Sequence, residues 1–218
     1  GVDGDVFYAY GISADLISDV SSAGLIRVPS LKRVEEVADL SLDEKATKLD
    51  VRYTAEGTLW KMDDMFQLSV ELYDTKDKKV VWSDRWQEKW DDLPDIKRGL
   101  SEGLIKALNT NTKIKNKIDT HDKKAYEYFL KARYKYRFRQ SIEDIEIVRE
   151  LLIKAIDIDN NFLHAIGLLA HTYYEAGKFN KAENIYNDIL IKAKNNNDLQ
   201  LICSINYGLS GIYSYRGG

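Results

Sequence analysis

The chain has 218 residues, 44 % of them apolar and 31 % charged, with a net charge of −3; it is long enough for one large domain or two small ones with a real core, and it lacks both the basic excess of a nucleic-acid binder and an acidic tail. Its one cysteine, Cys203, excludes an internal disulfide framework, and within LICSI the thiol reads as a buried small hydrophobe. No apolar run reaches the roughly 18 residues of a membrane span, and the acidic start GVDGDVFYAYG has no basic region of a signal peptide.

Taken in chain order, FYAYGISADLISDVSSAG places Ile12, Leu16, Ile17 and Val20 on one face and predicts an amphipathic helix ending near Gly24. LIRVPS predicts a short strand that Pro29 terminates. SLDEKATKLD has Ser41 with Glu44 three residues on, which predicts a capped helix through Leu49. VRYTAEGTLWK, MFQLSVELYD and KVVWSDRWQEKW alternate with period two, separated by MDD and TKDKK. They predict a three-stranded antiparallel meander. PDIKRGLSEGLIKAL predicts a helix with Ile96, Leu100, Leu104 and Leu108 facing inward, and NTNTKIKNKIDTHD a polar linker.

From about Asp122 onward the apolar spacing is helical. AIGLLAHTYYEAGKFNKAENIYNDIL aligns with INYGLSGIYSYRGG at a constant offset of 40 residues: Leu169 on Leu209, Ala170 on Ser210, Tyr173 on Tyr213, Gly177 on Gly217. Closely packed antiparallel helices need small residues where they cross, and Ala170, Ala182 and Ser210 supply them. Leu169, Tyr173 and Tyr186 supply bulk beside the crossing, and Gly177 supplies a turn. The order Leu169, Ala170, Tyr173, Gly177, Phe179, Ala182, Tyr186 resembles the tetratricopeptide repeat, TPR, whose usual period is about 34 residues. The excess is assigned to a second helix extended through IKAKNNNDLQ, and Lys194 stands where the family usually has proline. Upstream, a divergent helix pair places Ile147, Leu151 and Ala155 where Ala182, Tyr186 and Ile189 recur, and Asp159-Asn160-Asn161 closes it as a turn. The last unit has one helix, ending at an inter-helix turn at Gly217-Gly218. A helix without its partner leaves an apolar face uncovered, so the pattern predicts a chain that stops inside a longer array.

The first half also carries a resemblance. YAYGISADLISDVSSAGLIRV, the DVRYTAEGTLWKMDDMFQLSVELYDTKDKKVVWSDRW block and DIKRGLSEGLIKAL are similar to the TolB amino-terminal-like domain and its FlgO-like relatives, over about residues 7–108. Members typically have a leading strand, which these residues do not include. In many bacterial proteins this domain precedes TPRs and sits behind an adenylate cyclase, a Ser/Thr kinase or a winged-helix DNA-binding domain. Together the two resemblances imply an α/β domain, a mixed sheet with an antiparallel meander, over 1–108. A polar linker over 109–121 and an all-α TPR helical-hairpin array over 122–218, about two and a half repeats, follow.

The residues that could carry chemistry are few. His164 and His171 lie seven apart, about 10 Å along a helix, and no further ligand completes a zinc pattern; they read as a polar pair lining a groove, and no metal or cofactor is expected. His121 falls in the linker. Asp63-Asp64 and Asp91-Asp92 lack the alternating oxygens of a calcium loop and read as turns. Gly99 and Gly103 lie inside a helix rather than in a phosphate loop, and no nucleophile elbow is present. Trp82, Trp86 and Trp90 share one strand face. They could stack on bases, but the mixed flanking charge favours their covering the sheet against a helix or the neighbouring repeat; Trp60 lies in the same meander.

RYKYRFR puts Tyr134 and Phe138 on one helix face and Arg133 and Arg137 on the next, which suits a buried aromatic stripe beside a basic one. TPR geometry implies a groove lined by the first helix of each pair, with Arg133, Tyr136 and Arg137, then His164, His171, Tyr174 and Glu175 as candidates. Such a groove would suit an extended or helical peptide with acidic groups.

The expectation is therefore a non-catalytic, protein-binding region of a larger bacterial signalling protein, sensory or scaffolding, with a protein or peptide partner. Nucleic acid is not an expected partner. Alternatives are the regulatory portion of a cyclase or kinase polypeptide, or the effector region of a DNA-binding regulator. A homo-oligomer through an open sheet edge is a further expectation, and the setting is cytoplasmic, with the periplasm as the other option.

Overall fold

The computed structural model describes residues 6–22, 27–62, 65–89, 93–108 and 120–217. The chain divides into two compact units, Gly1–Ile118 and Asp119–Gly218. The first contains a three-stranded antiparallel sheet, and a run of helices follows that sheet.

In the first unit, α1 (Val6–Ser22), α2 (Leu31–Glu35) and α3 (Leu42–Leu49) precede β1 (Tyr53–Met62), β2 (Met65–Asp74) and β3 (Lys79–Lys89), and α4 (Leu93–Ala107) closes it. The Glu44 carboxylate accepts from the Ser41 N–H at 3.0 Å and the Ser41 hydroxyl at 2.7 Å, so the start of α3 is the one its sequence dictates. The strand order β1-β2-β3 is the predicted meander. Leu59, Leu68 and Trp86 are cross-strand neighbours on one face, as are Val70 and Asp84 beside them. Phe66, Leu68, Val70 and Leu72 of β2 are buried.

The Trp side chains of this face explain two glycines in α4. A Cβ on Gly103 would lie 2.6 Å from Trp82 Cζ2, and one on Gly99 3.8 Å from Trp86 Nε1. Trp82 and Trp86 thus cover the sheet against a helix. Trp60 points the other way and is 63 % exposed, while Trp90 lies outside the described residues. Between α1 and α4, Lys97 pairs with Asp15 at 3.2 Å and the Ser101 hydroxyl donates to Asp19 at 2.8 Å.

The strand expected at LIRVPS does not form over Arg27–Ser30; Leu25 and Ile26 lie outside the described residues. Pro29 offers no N–H to a ladder, and the Arg27 guanidinium is drawn to the end of α3, donating to the Leu49 carbonyl at 3.1 Å and the Asp50 carboxylate at 3.0 Å. Instead α2, an element for which the sequence predicts nothing, follows directly. Most of the linker expected at 109–121 lies outside the described residues.

Asp74 at the end of β2 is buried. Its carboxylate accepts from Arg52 Nε at 3.0 Å and Nη2 at 2.6 Å, and from the N–H groups of Lys76 and Asp77 in the β2–β3 turn. The Arg52 guanidinium, first among these donors, holds its pKa down to about 2.

The described residues of the second unit form α5 (Lys123–Arg137), α6 (Ile142–Ile158), α7 (Leu163–Glu175), α8 (Phe179–Asn195) and α9 (Leu199–Gly217). α5 packs on α6, α7 on α8, and α9 on both α8 and α7. Asp122 and Ser141 cap α5 and α6 through the N–H groups of Ala125 and Asp144. Gly177, at φ +69°, turns the chain between α7 and α8.

Four expectations about this unit are corrected. The buried face of α6 is Val148, Leu152 and Ala155, not Ile147 and Leu151. Shifted by one residue, these three precede Ala182, Tyr186 and Ile189 by 34 positions throughout. Second, α8 stops at Asn195: Asn197 takes a left-handed φ of 53°, and Asp198 caps α9 by accepting from the Leu201 N–H at 3.0 Å, so IKAKNNNDLQ contains a turn rather than an extended helix. Third, the buried face of α9 is Leu201, Ile205, Gly208, Leu209 and Ile212. Ser210 and Tyr213 are exposed, and Gly217 is helical rather than an inter-helix turn. Fourth, Cys203 is exposed, because at 100° per residue it points away from both Leu201 and Ile205. Gly218 lies outside the described residues.

One buried cation ties the first helix pair to the second. Arg149 of α6 donates from Nε to the Thr172 hydroxyl at 3.1 Å and from Nη2 to the Thr172 carbonyl at 2.7 Å; Nη1 pairs with Glu146. Its guanidinium lies 4.8 Å from the centre of the Tyr173 ring.

A methyl group at Gly103 overpacks the Trp82 ring. Gly103→Ala therefore lowers stability by about 1–3 kcal/mol, less the roughly 1 kcal/mol that alanine returns to a helix, and thermal melting will show a lower Tm. The second test is acid. Asp74's folded pKa, about 2, lies below the ordinary value of about 3.9, so its stabilisation is complete above the ordinary value and is lost as pH falls through it toward about 2. Urea titrations read by circular dichroism at stepped pH will show that loss, and Asp74→Asn will be less stable at neutral pH with a shallower acid limb.

Candidate functional site

The seven groove candidates do not converge on one point. Tyr136, His171, Tyr174 and Glu175 do come together, where the ends of α5 and α7 meet. The Tyr136 ring meets His171 edge-on with centroids 6.0 Å apart, and His171 stacks on Tyr174 at 5.8 Å. Glu175 Oε1 lies 3.8 Å from His171 Nε2. Arg133 instead lies over Phe129 at 5.4 Å, and Arg137 lies 6.0 Å from the ring of Phe138. Phe138 contacts Tyr134 at 4.8 Å but is exposed, so that aromatic pair is not a buried stripe. His164 sits at the opposite end of α7, with Nε2 3.7 Å from the Asp198 carboxylate.

Four residues that the sequence reading did not place in the site complete it. Arg139, just past α5, donates from Nη2 to both Glu175 oxygens at 3.1 and 3.3 Å, and its guanidinium stacks 4.1 Å from the centre of Tyr136. The Tyr186 hydroxyl of α8 lies 3.4 Å from His171 Nδ1. Beyond Tyr174 the rings continue to Phe179 at 5.9 Å, and from there to Tyr215 of α9 at 4.6 Å. Five rings, Tyr136, His171, Tyr174, Phe179 and Tyr215, thus touch in succession from α5 to α9. A residue 36 positions from its partner, as Arg139 is from Glu175, leaves no local signal in the sequence.

The electrostatics follow from burial and from Glu175. Burial pushes the Tyr136 hydroxyl's pKa up, and its hydrogen bond to Glu175 adds to the effect. Burial also raises that of Tyr186. His171 is held below the usual histidine range, first by burial and then by Arg139, with Glu175 acting the other way. Burial thus favours the neutral forms of Tyr136, His171 and Tyr186, and the close Arg139–Glu175 ion pair cancels its own charge. Among the described residues no group of three His, Cys, Asp or Glu side chains converges as a metal site would, and no helix is long and apolar enough to cross a membrane.

A 34-residue recurrence on α6 and α8, a glycine turn after α7 and pairwise helix packing characterise this unit. Residues 148–203 match the tetratricopeptide repeat family. The match runs from Val148, the first buried residue of α6, to Cys203 in α9. No curated protein matches the chain. TPR units serve generally as non-catalytic surfaces for protein–protein interaction and scaffolding. The matched stretch holds His171, Tyr174, Glu175 and Phe179 of this site, while Tyr136, Arg139 and Tyr215 flank it in the sequence.

The opposed influences on His171 give a test by nuclear magnetic resonance. Its imidazole will titrate below the usual value of about 6.5; Arg139→Ala will raise that value and Glu175→Gln will lower it.

Proposed function

We propose that the chain is a non-catalytic protein-binding and regulatory region, and that its partner docks along the first helices of the TPR unit, α5, α7 and α9. One observation carries this reading: the line of rings from Tyr136 to Tyr215, which crosses all three helices and ends in an exposed tyrosine. Aromatic side chains bring large contact area at low entropic cost, and they dominate binding hot spots. Of the residues expected to line the groove, Tyr136, His171, Tyr174 and Glu175 form its centre in this proposal, and Arg133, Arg137 and His164 flank it.

The sheet unit accompanies this surface. Its helix–meander–helix order, with Trp82 and Trp86 packed on α4, supports the resemblance to TolB amino-terminal-like domains and a sensory or scaffolding role in a signalling protein.

Tyr215 is 72 % exposed, so its removal costs the fold little. The test is capture of a partner from a lysate of the source cells on the immobilised chain. Tyr215→Ala and Arg139→Ala will each weaken retention of the captured protein about tenfold, near 1.4 kcal/mol. A partner held equally well by both variants, or no partner at all, overturns the reading.

A further inference from the structure

Three helices meet at the side chain of Tyr186. Its ring, on α8, is buried and packs on α9 at Gly208, where a Cβ would lie 2.5 Å from Cε2 and 2.7 Å from the hydroxyl oxygen. That hydroxyl is also 3.4 Å from His171 Nδ1 on α7. Neutral His171 with its proton on Nε2 offers Nδ1 as an acceptor, so the Tyr186 hydroxyl donates to it, while Nε2–H faces Glu175. A second proton, placed on Nδ1, turns that acceptor into a donor. The Tyr186 hydroxyl oxygen then accepts from Nδ1–H, and its own hydrogen must turn elsewhere, on a side that α9 closes at Gly208. A buried donor that loses its acceptor costs roughly the full desolvation of the group.

We infer that His171 is a proton-responsive coupling between the TPR surface and the seating of α9: protonation of its imidazole reverses the hydrogen bond with Tyr186, deprives the Tyr186 O–H of its acceptor and loosens α9 at Gly208. The groups facing His171 are Tyr136 and Arg139 from the α5 side, Tyr174 and Glu175 on its own helix, and Tyr186 from α8. From α9 come Gly208 beneath Tyr186 and Gly211 beneath Tyr174, neither of which titrates. Arg139 opposes the added proton and Glu175 favours it, and burial prevails over both. The folded state thus binds this proton less readily than the unfolded chain. The stability it contributes is complete above the ordinary histidine pKa of about 6.5 and is lost as pH falls through the lower folded value.

α7 carries a second histidine beside α9, and it acts in the opposite sense. His164 faces Asp198, the cap of α9, and a proton there strengthens the pair. The two histidines therefore have to be separated in the test. Any effect on partner binding rests on the function proposed above; the coupling itself does not.

The experiment is peptide-resolved hydrogen exchange on the whole chain without partner, at pH 7.5 and 5.5, corrected for intrinsic rates. Segments 199–217 and 142–158 are compared. In the unmodified chain the protection of α9 will fall by a factor of about 3 to 10 relative to α6 on acidification. His171→Gln and Tyr186→Phe will each remove that difference, and His164→Gln will keep or enlarge it. An α9 whose protection is indifferent to pH in the unmodified chain, or equally sensitive in His171→Gln or Tyr186→Phe, overturns the coupling. A chain that shows the coupling yet captures no partner overturns only the binding function.

Discussion

Aromatic rings seated on helix glycines set the packing of both units. In the first, Trp82 rests on Gly103; in the second, Tyr186 rests on Gly208 and Tyr174 on Gly211. Each such glycine costs its helix about 1 kcal/mol relative to alanine. The return is a close approach that no side chain at that position permits, and with it the burial of a ring worth more than the cost. The contacts also fix the depth at which α4 meets the sheet and α9 meets the α7–α8 pair. Because the ring and the helix backbone meet directly, neither can shift without the other. The site inherits this rigidity, since Tyr174 belongs to the aromatic line and Tyr186 sits directly behind it.

Period and turn chemistry carried much of the fold into the sequence. The meander was legible because strict alternation over three segments has no helical reading, and α3 was legible from Ser41 and Glu44. The repeat was legible from small and large apolar residues in fixed order. What misled was register. Ile147 and Leu151 are as apolar as Val148 and Leu152, so composition could not tell the buried pair from its neighbour. In α9 the small residue that receives a ring is Gly208, not Ser210, and an alignment built on side-chain type could not weigh a residue that has none. The asparagine run after α8 is a turn because Asn197 accepts a left-handed backbone, a property the helical pattern before it obscured. α2 went unread because five residues are too few to show a period.

The candidate cluster was legible only in part, for a related reason. Tyr136, His171, Tyr174 and Glu175 follow from repeat position, since each falls near the end of a first helix. Arg139 does not, because it lies beyond the helix and reaches its carboxylate through space. Its placement changes the character of the surface. A run such as RYKYRFR suggests a basic stripe, yet Arg139 is committed to Glu175, and the nearby buried cation, Arg149, to Thr172. A charge held by a fixed partner orients that partner more than it attracts a distant ion.

The distribution of tryptophan has a practical corollary. All four indoles lie between Trp60 and Trp90, within the sheet unit, and the second unit has no tryptophan. Excitation at the red edge of protein absorption therefore interrogates the first unit alone. Trp82 and Trp86, half-buried against α4, will shift in emission when that packing opens, while an exposed Trp60 supplies a constant solvent-like background. Intrinsic fluorescence paired with far-ultraviolet ellipticity, which the helices dominate, separates the unfolding of one unit from the other without any label.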